Sequence, residues 1–307
     1  MRASAVCPII ITNCTQRKRR AAGAAIRLVD CAQGPGDPLA AWLRTLSAQF
    51  HRIPARDLYC GRSFQDAVAA TTAAGGTLWI ASAGLGLVPA EMLVPPYSAT
   101  VAGNGPDSVP LAPSIWFTAL QQHSPFSGSP DLEVRPLVLA ALSSPYLRMM
   151  EAWLLAVAER NPGQLRIFSR VPPITLAPAL RPFLMPYDAR LDDPGLERSG
   201  TVSDFAQRAL RHFVETVLQD LPAGSLDEHR AGVEARLASA QPPKRPENRQ
   251  MSDEELCHLI RTHWQKAEGR AGRMLALMRG TLGVACEQGR FSRLFRSVAA
   301  EDRGALA

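Results

Sequence analysis

Apolar positions fall in short unbroken runs, separated by longer stretches with helical spacing. Residues 6–12, 77–81, 134–142, 165–168 and 174–180 are almost continuously apolar, the mark of strands covered on both faces. Between them, residues 38–50 place Leu39, Trp42, Leu43, Leu46 and Phe50 on one helical stripe. Residues 146–158 do the same with Leu147, Met150, Trp153, Leu154 and Val157. A third helix, over 203–218, is announced by the Thr-x-x-Asp start at Thr201 and Asp204. Strand, crossover and strand in this order predict an α/β fold: an open, mostly parallel, Rossmann-like sheet with helices on both faces.

After Leu221 the pattern turns polar, and residues 241–249 form a Pro- and charge-rich stretch of the kind that makes an exposed hinge. The chain therefore divides into an α/β nucleotide- or nucleobase-binding domain over 1–222, a linker over 223–250 and a basic helical domain over 251–307. In the last, a helix over 252–267 turns Leu256, Leu259, Ile260 and Trp264 inward, and a second helix covers 271–281. A third, over 284–298, turns Phe291, Leu294 and Phe295 inward and Arg290, Arg293 and Arg296 outward. This is a small all-α, helix-turn-helix-like plan, with the three arginines as nucleic-acid-binding candidates. The same stripe also suits a bundle that docks on the first domain or on a partner. A second long loop, over 89–113, is rich in Gly and Pro, and loops of that length are usually functional or mobile.

Composition narrows the class. Apolar residues make up 46% of the chain and charged residues 20%, which excludes a disordered polymer and a membrane-embedded one. The net charge is +6, with arginine far outnumbering lysine, so a phosphate-bearing partner fits. The six cysteines form no C-x-x-C pair, and no metal site or cofactor is expected. The apolar run at the start is too short for a secretion signal or a membrane span, so a cytoplasmic location with no membrane partner is expected. The phosphate loop of the nucleotide triphosphatases, the hydrolase elbow and the full dinucleotide fingerprint are all missing.

Ligands of open parallel sheets sit beyond the carboxyl ends of the strands. The first run ends in Asn13, Cys14, Thr15, Gln16, Arg17, Lys18, Arg19 and Arg20, small hydrogen-bonding groups followed by charges that suit phosphate; a solvated basic turn reads the same way. The second ends in Ser82-Ala83-Gly84-Leu85-Gly86, where Gly84 and Gly86 allow close backbone approach or simply a turn. The third ends in Ser143-Ser144-Pro145, a helix start that caps and also favours anions. The fourth ends in Ser169-Arg170. Asn13, Thr15, Arg17, Lys18, Ser82, Gly84, Gly86, Ser143, Ser144 and Arg170 are the ligand- or phosphate-binding candidates. Cys14, beside positive charge, is the candidate nucleophile, and plain packing is its other reading. Asp107 is the candidate general base or sugar contact, and Asp188 offers the same chemistry; turn formation is the other role of both.

Four stretches together resemble a known group: residues 9–15 with their basic tail, residues 54–64 (Pro-Ala-Arg-Asp-Leu-Tyr-Cys-Gly-Arg-Ser-Phe), Ser82-Ala83-Gly84-Leu85-Gly86-Leu87-Val88, and Pro95-Pro96-Tyr97-Ser98-Ala99-Thr100. In that order they are similar to a family of bacterial and phage α/β proteins related to the YaaA-type peroxide-stress proteins and to uracil-DNA-glycosylase-like domains. The resemblance covers about the first third of the chain and implies nucleic-acid or nucleobase chemistry. Those relatives usually show Ser-Cys and a Lys-rich tail where this chain has Asn13-Cys14 and arginines.

Two functions are compatible with these observations. One is a nucleic-acid-associated protein that binds a nucleotide or extruded base at the strand ends and processes the base or its glycosidic bond within a DNA-modification or phage-defence system. The other is a non-catalytic DNA-binding or adaptor subunit that works with the protein partners of such a system.

Overall fold

The computed structural model describes residues 7–19, 25–32, 36–103, 105–134, 136–196, 200–242 and 249–304. The chain divides into two compact units, Met1–Pro242 and Pro243–Ala307.

The first unit is built on a five-stranded sheet: β1 (Ile9–Asn13), β2 (Thr77–Ser82), β3 (Gly86–Pro89), β4 (Val138–Ala141) and β5 (Leu165–Phe168). The order is β3-β2-β1-β4-β5, parallel throughout except for β3, which returns antiparallel to β2. Every residue of β4 and β5 is buried, so both faces of these strands are covered, as their unbroken apolar runs require. The strand order proceeds outward from β1 to β2 and β3 on one side, then reverses to β4 and β5 on the other. The reversal puts the switch point of the sheet, where open α/β folds carry their ligands, between the ends of β1 and β4.

Around the sheet lie α1 (Pro38–Ser47), α2 (Arg62–Ala74), α3 (Pro113–His123), α4 (Ser144–Arg160), α5 (Phe205–His212), which continues as a π-helix over Phe213–Leu218, and α6 (Leu226–Leu237). Helix α1 starts on Asp37, whose carboxylate accepts the Leu39 and Ala40 N–H groups. The Thr201/Asp204 capping box forms one turn ahead of α5. Helix α2 packs on α5, and α3 on α4.

Two expectations are corrected. Residues 174–180 are not a strand but parts of two 3-10 turns, Pro173–Thr175 and Pro178–Phe183. Pro173, Pro178 and Pro182 have no N–H to give a sheet ladder. The expected linker contains α6, which opens on a Ser225/Glu228 capping box and buries His229, Val233 and Leu237 in the first unit. Of the expected hinge, residues 243–248 lie outside the described residues. The long loop over 89–113 pairs twice with the body of the fold, Leu93–Val94 with Ile53–Pro54 and Tyr97–Ser98 with Ile26–Arg27.

Both outer strands carry further partners along their free sides. Leu87 of β3 accepts from Gly128 N–H at 2.8 Å, and Ile167 of β5 bridges to Leu184 and accepts from Met185 N–H at 2.9 Å.

In the second unit, α7 (Asp253–Thr262), α8 (Ala271–Gly280) and α9 (Gln288–Gly304) enclose Leu256, Ile260, Met274, Met278, Phe291, Leu294 and Phe295. Trp264 stacks on Phe295 with ring centroids 5.0 Å apart. The last helix begins at Gln288 and not at 284, because Val284–Ala285 pairs in parallel with Arg249–Gln250. Among the described residues, no helix is long and apolar enough to cross a membrane.

Candidate functional site at the strand ends

The crevice between β1 and β4 is tied together by amide groups. Asn13, the last residue of β1, accepts the Ser143 N–H at 3.1 Å through its Oδ1. Gln207 of α5, buried, directs its Nε2 at Thr12 Oγ1 (3.1 Å), Asn13 Oδ1 (3.2 Å) and Ala141 O (3.0 Å). One side chain thus holds two strand ends against a helix, and Asn13 is occupied as a structural joint. Gln207 was missed by sequence reasoning; its only signal is a polar residue on the inward stripe of an otherwise apolar helix face.

Directly above this joint lies Cys14, 4% exposed, with its Sγ 3.0 Å from the Tyr146 hydroxyl at the start of α4. Burial, reinforced by the neighbouring Cys14 thiol, raises the Tyr146 phenol well above its ordinary value, so it keeps its proton. A hydroxyl relay runs beside it: Ser82 Oγ bonds the Tyr97 hydroxyl, which is 2.8 Å from that of Tyr59. Both phenols are fully buried, and burial followed by the Cys14 charge raises each. The three tyrosines are therefore hydrogen-bond donors at neutral pH and not phenolate bases.

Over these rings sits Lys18, with its Nζ 4.4 Å from the Tyr97 ring centroid and 5.8 Å from that of Tyr59. Burial lowers its pKa, offset in part by Cys14, Asp107 and Cys60. Among the described residues it has no carboxylate partner. The chain holds 3 lysines among 34 basic residues, so this position carries a compact ammonium where most of the cations are guanidinium groups. Cys14, Lys18 and the three phenols make a compact set for binding an electron-rich ligand and moving a proton.

The other candidates divide. Arg17 stays exposed on the rim, and its carbonyl accepts from Cys60 N–H. Thr15 is a turn pin, with its Oγ1 2.7 Å from Arg17 O and 2.9 Å from Cys60 O. Ser82, fully buried, accepts the Gly84 and Leu85 N–H groups and shapes the turn into β3. That turn is no phosphate cradle: a Cβ on Gly84 would lie 2.6 Å from the Tyr97 ring, and one on Gly86, whose φ is +92°, would lie 2.6 Å from Gln121 Oε1. Trp42 and Trp116 clamp the same turn through the Gly84 and Ala83 carbonyls, at 2.7 and 2.8 Å.

Ser143 caps α4 by position without a side-chain bond, and Ser144 accepts from Arg148. Asp107 is engaged by its neighbours. Burial alone would raise it, but hydrogen bonds from Ser98, the Val29 N–H and Arg27 hold it below the ordinary carboxylate range. Asp188 is held low in the same manner by Arg190. Arg170 lies 3.8 Å from Asp192 and lines a different cavity.

In the second unit the outward stripe is partly spent. Arg290 and Arg293 both bond Asp253, at 2.6 and 3.1 Å, Arg290 also bonds Met251 O, and Arg296 leans on Ser292 O. Among the described residues no cluster of His, Cys, Asp and Glu is arranged to hold a metal ion. A cavity of about 670 Å³ lies at the amino ends of β1 and β2, lined mainly by apolar residues and remote from the strand-end cluster.

Fold and site together define an open α/β protein with its polar cluster at the reversal of strand order. No family model, curated protein or solved structure matches the chain.

Proposed function

We propose that the first unit binds a nucleotide, or a base presented on a nucleic-acid strand, in the crevice between β1 and β4, with Cys14 and Lys18 as its reactive pair. The observation that carries this reading is a partly buried ammonium with no carboxylate partner, set beside a buried thiol where the strand order reverses. The Lys18 charge and the Arg17 rim suit phosphate, and the protonated Tyr146 phenol donates to the Cys14 sulfur. For chemistry on the base or its glycosidic bond, Cys14 is the candidate nucleophile, facing the Lys18 ammonium. The YaaA-type resemblance, with its link to DNA-modification and phage-defence systems, points to the same substrate class.

The helix-turn-helix-like second unit belongs to this reading as the element that meets nucleic acid, through Arg296 and the exposed edge of Arg293.

Trp42 and Trp116 hold the turn beneath Tyr97, so their fluorescence reports occupancy of the crevice. Mononucleotides and a short single-stranded DNA are expected to change it saturably at low salt, and Lys18→Met to weaken binding about tenfold or more. Arg293→Gln with Arg296→Gln is expected to weaken DNA and leave mononucleotides unaffected. Absence of any response from all four nucleotides and from DNA at low salt sinks the reading.

A further inference from the structure

The carboxyl end of β5 carries a second feature, independent of the Cys14 and Lys18 crevice. A cavity of about 500 Å³ opens there between the end of β5 and the turns that follow it, lined by Ser169, Arg170, Arg181, Tyr187, Asp188 and Arg230 with short proline-rich backbone between them. Three guanidinium groups converge on one concavity. The only carboxylate in its wall, Asp188, is already engaged by Arg190 in a two-oxygen contact at 2.9 and 3.0 Å. The cavity wall therefore carries three arginines against one carboxylate, a positive balance.

The arginines are fixed in place without being used up. Arg181 donates its Nε to Leu176 O and its Nη2 to Ile174 O. Arg230 donates its Nη1 to both Pro182 O and Leu184 O. Arg170 rests 5.5 Å above the Phe205 ring and makes only a long contact with Asp192. Each guanidinium offers five N–H donors, so each keeps donors for a ligand while backbone carbonyls hold it in position. Preorganised forks of this kind select planar or tetrahedral oxyanions.

An independent observation points to a ligand. Ser169 is 3% exposed, lines this cavity and has an Oγ with no hydrogen-bond partner among the described residues. Buried hydroxyls nearly always find partners, and an orphan marks a place where something else supplies one. An oxyanion held by the three arginines would accept the Ser169 proton.

We propose that Ser169, Arg170, Arg181 and Arg230 form a binding site for a phosphate group. Two sources share this chemistry: the terminal phosphate of a small molecule, and the diester backbone of a nucleic-acid strand. The site stands on its own residues, whether or not the crevice at β1 binds a nucleotide.

The test is a calorimetric titration of the full chain carrying Lys18→Met, which weakens the first crevice, with inorganic phosphate, with a 5′-phosphorylated dinucleotide and with an unphosphorylated thymidine oligomer; binding at the second site is the part that Ser169→Ala and Arg230→Gln lower. Saturable binding of phosphate is expected. Ser169→Ala should weaken it about fivefold, since one hydrogen bond is lost, and Arg230→Gln about tenfold. Ser169→Ala removes a hydroxyl that holds nothing in the fold, so an unchanged melting curve separates lost binding from lost structure. Binding of phosphate and the phosphorylated dinucleotide, but not of the oligomer, assigns the site to terminal phosphates; binding of all three assigns it to a strand. No saturable binding of any probe, or binding that both substitutions leave unchanged, overturns the proposal.

Discussion

Two basic clusters that look alike in sequence have different fates in the fold. At the end of β1, Lys18 lies over two tyrosine rings and, among the described residues, forms no ion pair with a carboxylate, so its charge is open to a ligand. Along α9, Arg290 and Arg293 spend theirs on Asp253, which ties the start of α7 to the last helix. A run of positive charge therefore predicts a site only where the fold withholds the counter-charge. Arg166, in the middle of β5, adds a third case: it too lacks a carboxylate contact, but it is fully enclosed by the Gly163, Leu165 and Gly224 carbonyls and His229 Nδ1. A cation with no ion pair becomes a site only if it also has an opening.

The largest effect is expected from removing the seat beneath Lys18. Gly84→Val drives a side chain into the Tyr97 ring and against Trp42, and should cost at least about 2 kcal/mol in urea unfolding and abolish ligand-induced fluorescence. Unchanged stability would show that the turn yields and that the tyrosine seat is not rigid.

Next comes Lys18→Met, which replaces a desolvated ammonium with an apolar chain of similar length. Stability should rise by about 1 kcal/mol while binding falls, the exchange expected of a residue kept for function. A loss of stability would mean that the ammonium is a structural member like Arg290.

The enclosed cation gives a pH signature. Burial lowers the His229 pKa from 6.5, opposed by the hydrogen bond to the Leu221 carbonyl, with the Arg166 charge lowering it further and Glu228 raising it a little. Between that lowered value and 6.5 the unfolded chain binds more protons than the folded one. Stability is therefore complete above pH 6.5 and declines as pH falls through this window. Urea unfolding at pH 7 and pH 5 measures this, and His229→Gln should flatten the slope.

The smallest effect belongs to Asp253→Asn. It frees Arg290 and Arg293, and low-salt DNA binding should tighten about threefold with little change in melting temperature. Weaker binding would mean that Asp253 holds the arginines in a geometry that DNA requires.

Much of the frame was readable because unbroken runs such as Ile9-Ile10-Ile11 and Leu165–Phe168 have no other stable place than a covered sheet. The failures have physical causes. Residues 174–180 are apolar enough for a strand, but their prolines cannot donate. Helix α2, rich in Ala and Thr, and α6, rich in charge, show little contrast between faces, so periodicity passed over them. Strand β3 opens on Gly86 and reads as loop. At the site, Cys14 and Lys18 stood out by charge and position. Tyr59, Tyr97 and Tyr146 did not, because a tyrosine's role depends on which hydroxyl or thiol meets it across 38 or 132 residues of chain. Ser82, Thr15 and Gly84 were chosen for chemistry they do possess, yet the fold uses them to build the turn that seats the reactive groups.

The partners along the two outermost strands carry a consequence for association. With Gly128 bonded to Leu87, and Leu184 and Met185 running beside Ile167, neither border of the sheet presents a bare ladder at these points. Another chain cannot simply zip onto the sheet there, which guards the fold against fibre-like stacking.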